Sequence, residues 1–295
     1  MSVARAGERH QRALAWSLVL IVCFLVVQVV AAVLTSSLAL LSDAGHMATD
    51  ALGLGMALAA IHAASRGTAD PQRTFGWYRL EILAALANAV LLVAVAVYVL
   101  VEAALRLGDP PEIDAAAVLI IGVLGLVVNV AAFLLLRQGA SESLNVRGAY
   151  LEVLSDTLGS VGVVIGAIVI GITAWGWVDP VIGAAIGVFI LPRAVRLGRE
   201  AVRVLVQAAP AGIDVEKVRR DLAGIPGVVD VHDLHVWTLT SEMDVASAHL
   251  MVGGGTDSHG VLDQARDLLA SRYRLAHATL QIEPDDHTGC EEVSW

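Results

Sequence analysis

Two short stretches place acidic and imidazole side chains at helical spacing inside otherwise apolar sequence. Ser42-Asp43-Ala44-Gly45-His46-Met47-Ala48-Thr49-Asp50 sets His46 and Asp50 four residues apart, and Glu152-Val153-Leu154-Ser155-Asp156 sets Glu152 and Asp156 at the same interval. Residues at i and i+4 share a helix face, with Cβ atoms about 5–6 Å apart. Asp43, three residues before His46, lies on that face as well. A charged side chain at the centre of a membrane helix costs about 2.5–3.5 kcal/mol on insertion scales. Neither run contains a Lys or Arg to offset it. A divalent cation would. One imidazole and three carboxylates make a four-coordinate set suited to tetrahedral zinc, with metal–ligand distances of about 2.0–2.2 Å. The same groups bind protons, and metal needs them deprotonated, so protons arriving from outside would expel the ion. Without a metal, these acids would line a water-filled cavity or a proton relay.

The elements that must carry these residues are membrane helices. The chain has 295 residues, 57% of them hydrophobic, and its mean hydropathy is +0.71. Apolar runs of the roughly 20 residues needed to cross a ~30 Å hydrocarbon layer recur near 13–36, 40–64, 79–106, 114–137, 146–173 and 178–198. The first run is too long for the apolar core of a signal peptide and is followed by further spans. Arg5, Arg9 and Arg12, then Arg66 and Arg73, then Arg137 and Arg147, then Arg193, Arg196, Arg199 and Arg203 fall on one side. The alternate loops hold Ser36 and Ser37, then Asp109, Glu112 and Asp114, then Asp179. This asymmetry predicts a multi-pass protein with both termini in the cytoplasm. Gly162/Gly166 and Gly183/Gly187 are small-residue pairs at the spacing that lets helix backbones approach. Gln28, Asn88 and Asn129 read as helix-to-helix hydrogen bonds, whereas Glu81 and Glu102 lie nearer span ends, where solvent or a local Arg suffices.

After Pro210 the pattern changes. Residues 201–295 hold 7 basic against 15 acidic side chains, a balance of −8, while the first 200 hold 12 against 14, a balance of −2. Clustered positive charge is missing, which excludes nucleic acid as a partner. The two cysteines, Cys23 and Cys290, do not make a disulfide framework. Asp214–Ala223 reads as a capped helix, Val228–Leu239 and Ala246–Val252 as strands, Asp257–Tyr273 as a helix and His277–Glu283 as a third strand. The expected fold class is therefore an α-helical membrane protein of six transmembrane helices with a C-terminal cytoplasmic α+β domain. Six of the nine histidines lie in this tail: His232, His235, His249, His259, His277 and His287. His232 and His249 fall on adjacent strands and can converge on a metal. In a regular strand His235 has the opposite parity to His232 and would face away.

Four segments together resemble the cation diffusion facilitator family, over essentially the whole chain and in order. They are Ser42 through Asp50, Thr74-Phe75-Gly76-Trp77-Tyr78-Arg79-Leu80-Glu81, Glu152 through Gly159, and Val231-His232-Asp233-Leu234-His235-Val236-Trp237. The resemblance implies a homodimer, a metallochaperone-like cytoplasmic domain and metal/proton exchange by rocking of the helix bundle. It assigns His46, Asp50, Glu152 and Asp156 to the transport site. Glu152 stands where zinc-selective members commonly have His, as in the zinc/cobalt/cadmium efflux branch; a carboxylate suits a wider range of cations than an imidazole. The resemblance also aligns His232, His249 and Glu283 with a cytoplasmic metal site, with Gln281 where some members have a further His. Two family features are missing: Arg137–Arg147 contains no histidine-rich loop, and of a second site between spans two and three only Asp70 remains, with Arg73 and Trp77 nearby.

The expected organisation is a cytoplasmic segment at 1–12, a transmembrane domain at 13–200, a cytoplasmic domain at 201–286 and a tail at 287–295. The expected function is efflux of Zn²⁺, also Cd²⁺ or Co²⁺, as a metal/proton antiporter with a metal-sensing dimerisation domain. Zn²⁺ is both the transported substrate and a regulatory ligand, and protons, lipid and a second copy are the partners. The alternative is a membrane-bound metal sensor or a channel without proton coupling. An intramembrane metalloenzyme would need an open coordination position and a base, as in His-Glu-x-x-His, and the chain has no such motif. Its Arg-rich, Lys-poor composition suggests a bacterial inner membrane. Sequence alone assigns no role to His235, His277, His287 or Cys290.

Overall fold

The computed structural model describes residues 3–66, 74–76, 78–137, 144–240 and 243–286. Six long helices come first: α1 (Val3–Thr35), α2 (Leu38–Arg66), α3 (Tyr78–Arg106), α4 (Ala115–Arg137), α5 (Leu144–Thr173) and α6 (Val178–Leu205). Among the described residues, all but α2 contain an uninterrupted stretch long and apolar enough to cross a membrane. α2 is 29 residues long, and the side chains of its last turns lie outside the described residues. The chain divides into two compact units, one of Met1–Trp77 with Ala84–Gly198, the other of Tyr78–Leu83 with Arg199–Trp295.

In the first unit α1, α2, α4 and α5 pack on one another. Ile21, Phe24, Met47, Leu54 and Val153 close one end of that cluster and Leu40, Val118, Val163 and Ala167 the other. Leu92 of α3 packs against Ile190 and Ala194 of α6. On outward faces Leu34, Leu105, Ile120 and Ile172 stay exposed, as side chains that meet lipid must. Trp175 and Trp177, in the turn between α5 and α6, stack at 5.6 Å, a pairing suited to a membrane–water interface. One member of each glycine pair marks a close approach. A Cβ on Gly183 would come within 2.9 Å of the Leu38 backbone, and one on Gly166 within 2.3 Å of Ile182.

The start of α2 is held from α6. Asp179 is buried and accepts hydrogen bonds from Ser37 Oγ at 2.5 Å, Leu38 N at 2.7 Å and Ala39 N at 3.4 Å. A carboxylate against the unpaired N–H groups of a helix N-terminus satisfies donors that nothing else in lipid can reach, and it complements the helix dipole. Arg106 closes the same corner, donating to the Ser36 carbonyl and pairing with Glu102 at 2.8 Å. Glu102 thus has the local Arg partner expected of it.

The second unit adds α7 (Val215–Ala223), β1 (Val228–Thr240), β2 (Met243–Val252), α8 (Ser258–Tyr273) and β3 (His277–Pro284). Asp214 caps α7 by accepting from Lys217 N, and Asp257 caps α8 by accepting from His259 N. The sheet order is β1-β2-β3, with β1 and β2 antiparallel and β2 and β3 parallel. Val218 and Leu222 of α7 and Val261, Ala265 and Leu269 of α8 bury one face of the sheet, against Val231, Val236, Ala246, Ala248 and Leu250. By alternation the opposite face carries His232, His249 and Glu283. Thr240, at the end of β1, donates to Glu81 at 2.5 Å.

Replacing Asp179 with Ala should lower stability by about 1–3 kcal/mol, because it orphans buried N–H groups at the start of α2. Thermal unfolding of the detergent-solubilised protein, followed by tryptophan fluorescence, reads this directly; an unchanged midpoint would refute the anchoring role of Asp179.

Candidate metal centres

In the membrane unit, helical spacing puts His46 and Asp50 on one face of α2, and packing of α2 on α5 brings Asp156 to them. His46 Nδ1 lies 3.3 Å from Asp50 Oδ2, and His46 Nε2 lies 3.0 Å from Asp156 Oδ1. All three side chains are buried. Despite these distances, both His46 nitrogens, both Asp50 oxygens and Asp156 Oδ1 complete no hydrogen bond of normal angular geometry among the described residues. One donor atom from each residue lies within 4.8 Å of the others. One imidazole and two carboxylates gathered this closely can turn lone pairs to a common point, and such a set fits a divalent cation.

Glu152 lies on α5 one helical turn before Asp156, and its side chain is outside the described residues. Asp43 shares the His46 face but is not among the clustered donors: its Oδ2 accepts from Gln28 Nε2 of α1 at 2.6 Å. That bond fulfils the helix-to-helix role expected of Gln28. Asn129 does the same from α4, donating to Ser160 Oγ of α5 at 3.0 Å. The Oδ1 of Asn88 is buried with no hydrogen-bond partner among the described residues. Sequence reasoning missed Arg193. It looked for cations only within α2 and α5, whereas Arg193 of α6, just after the internal Pro192, acts electrostatically on His46 and Asp50. No spacing in the chain links it to α2; only the fold does.

In the cytoplasmic unit, His232 of β1 pairs directly across from His249 of β2. Glu283 of β3 stands two residues beyond Gln281, which pairs with His249. His249 Nδ1 lies 2.9 Å from Glu283 Oε1 and His232 Nε2 lies 3.3 Å from Glu283 Oε2. These three residues also offer donor atoms within 4.8 Å of one another. Gln281 Nε2 donates to Glu283 Oε1 at 2.7 Å, so it holds the carboxylate in place. His232 also touches Asp230 Oδ2 through Nδ1, at 3.1 Å.

The parity argument against His235 is overturned. β1 is irregular between His232 and His235, which pair with His249 and Ser247 respectively. Asp233 takes a positive φ of 48°, so three residues of β1 span two of β2. The β-bulge returns His235 to the face of His232. There it is exposed, beside a cavity lined in part by Trp237 and Ser247, and it does not join the three-residue cluster. His277 begins β3 opposite Val245 on the same face. His287, Cys290, Asp70, Arg73 and Trp77 lie outside the described residues.

The sequence matches the family profile of the cation efflux transmembrane domain over residues 14–206, and that of the cation efflux protein cytoplasmic domain over residues 210–285. The chain belongs to the cation efflux family. It is accordingly a multi-pass membrane protein whose C-terminal domain carries a small mixed sheet. Among cation efflux relatives, it is 46% identical over 285 residues to the metal cation efflux system protein CzcD of Cupriavidus metallidurans, covering 94% of this chain and 90% of that protein. It is 39% identical over 272 residues to the zinc transporter ZitB of Escherichia coli, covering 90% and 86%. It is 35% identical over 283 residues to a cadmium, cobalt and zinc/H(+)-K(+) antiporter of Bacillus subtilis, covering 94% and 90%.

The two acids of α2 should behave differently. Asp50→Ala should abolish Zn²⁺ binding at the intramembrane cluster, while Asp43→Asn, which keeps an acceptor for Gln28, should retain it. Equilibrium dialysis against radioactive zinc distinguishes them, and equal loss in both variants would contradict the separation of Asp43 from the site.

Proposed function

We propose that this cation efflux protein exports Zn²⁺, and also Cd²⁺ or Co²⁺, in exchange for protons, with both termini in the cytoplasm of a bacterial cell. The convergence of His46, Asp50 and Asp156 in the membrane unit carries this reading. Glu152, one turn from Asp156, supplies the fourth ligand. A single imidazole among carboxylates is a harder donor set than two imidazoles, which favours a broad range of divalent cations over strict zinc selectivity.

The cycle has three steps. Cytosolic Zn²⁺ enters between α2 and α5 and binds deprotonated His46, Asp50, Glu152 and Asp156. The helix bundle then reopens to the outside. Protons from that side bind His46 and a carboxylate, remove the lone pairs that hold the ion, and release it. Coupling follows because the same atoms cannot hold both metal and protons, so the two ligands favour different states of one site. The names of the E. coli and B. subtilis relatives, a zinc transporter and a cadmium, cobalt and zinc/H(+)-K(+) antiporter, support both halves of the exchange.

In the cytoplasmic unit, His232, His249 and Glu283 hold a regulatory metal. The protein works as a homodimer, and metal on this domain tightens the pairing. His232 Nε2, buried without a hydrogen bond, is the donor such a metal would use.

The test is zinc uptake into inside-out vesicles loaded with a zinc-responsive dye, with and without a pH gradient acid inside. Accumulation that collapses with the gradient and is lost in Asp156→Ala is the expected result. Accumulation indifferent to the gradient would identify a channel or uniporter. Zinc bound at the cytoplasmic domain with no flux would identify a sensor.

A further inference from the structure

The cytoplasmic cluster uses its two imidazoles in opposite ways. His249 turns Nδ1 toward Glu283, whereas His232 turns Nε2 toward it and directs Nδ1 to Asp230. Asp230 and His232 are two residues apart on β1, so both project from the same face of the sheet. Asp230 pairs with Met251 of β2, which in turn pairs with Glu283 of β3, so Asp230 and Glu283 share one cross-strand row, next to the row of His232, His249 and Gln281.

We infer, on the reading that His232, His249 and Glu283 hold a metal, that Asp230 is a positioning residue which makes Nε2 the ligating nitrogen of His232. A neutral imidazole carries one N–H. The Asp230 carboxylate accepts from Nδ1–H at 3.1 Å, and this leaves the lone pair on Nε2, aimed at Glu283. The carboxylate also restrains the rotation of the ring; removing such a partner typically weakens metal binding by about 10- to 100-fold. The side chain of His232 is 9% exposed and that of Asp230 is 58% exposed. The ligand is thus in the interior while its carboxylate partner keeps its charge in water. Solvent competition at Asp230 places the effect near the lower end of that range. Neighbouring Asp233 does not substitute, because its positive φ is part of the bulge that resets the strand.

The experiment uses the full chain with Asp50→Ala and Asp156→Ala, so that only the cytoplasmic cluster binds. Co²⁺ affinity is measured by chelator competition, and the d–d absorption reports the ligand field. Asp230→Ala should weaken Co²⁺ binding by about tenfold and alter the spectrum, with Asp230→Glu recovering part of the affinity. Asp263→Ala, which removes an equal charge from an exposed position of α8, should leave both unchanged. Co²⁺ bound equally well by Asp230→Ala, or lost equally in Asp263→Ala, overturns the positioning role alone. If the parent binds no Co²⁺, or if His232→Ala leaves its binding intact, the metal site itself falls and the role of Asp230 with it.

Discussion

Carboxylates in a membrane interior set the terms for the rest of this molecule. Asp50 and Asp156 cannot be solvated by lipid, and the cost of isolating them charged far exceeds what one hydrogen bond returns. They are tolerable only if gathered with an imidazole into a site that an ion or protons can neutralise. That requires α2 and α5 to be neighbours with their polar faces turned inward. Accordingly α2 lies in the packed α1–α2–α4–α5 group.

Several features maintain that arrangement. Asp179 secures the start of α2 from α6 through three donors, and Gly183 lets the α6 backbone come close to Leu38. The Gln28–Asp43 and Asn129–Ser160 bonds join α1 to α2 and α4 to α5. In lipid there is no hydrophobic force between helices, so such polar contacts and close backbone packing fix relative position. Asp43 illustrates the division of labour: a carboxylate three residues from His46 serves helix packing while its neighbours converge.

The cytoplasmic domain presents a related donor set in water, where the constraint is different. Its helices bury one face of the sheet, and the metal-fitting side chains stand on the other, in positions set by strand register. Two imidazoles on paired strands meet a carboxylate from a third, and two of the three donors have a polar neighbour beside them: Gln281 bonds Glu283, and Asp230 touches His232. The bulge at Asp233 shifts which residues share that face.

Much of this was legible in the chain. The six helices, the α-β-β-α-β order of the tail and its two Asp caps follow from apolar run length, period-two alternation and capping chemistry, all local properties. His46 with Asp50, and Glu152 with Asp156, could be paired because helical periodicity alone puts them on common faces. The tertiary structure decided what depends on contacts between segments distant in sequence. It brought α2 to α5, turned Asp43 toward Gln28, set Arg193 within electrostatic reach of His46, and made Asp179 an anchor where the sequence showed only a loop acid. It also returned His235 to the face of His232. A bulge depends on one residue's φ and on the partner strand, so regular alternation could not anticipate it. Local spacing determines which side chains share an element's face; only packing determines what that face meets.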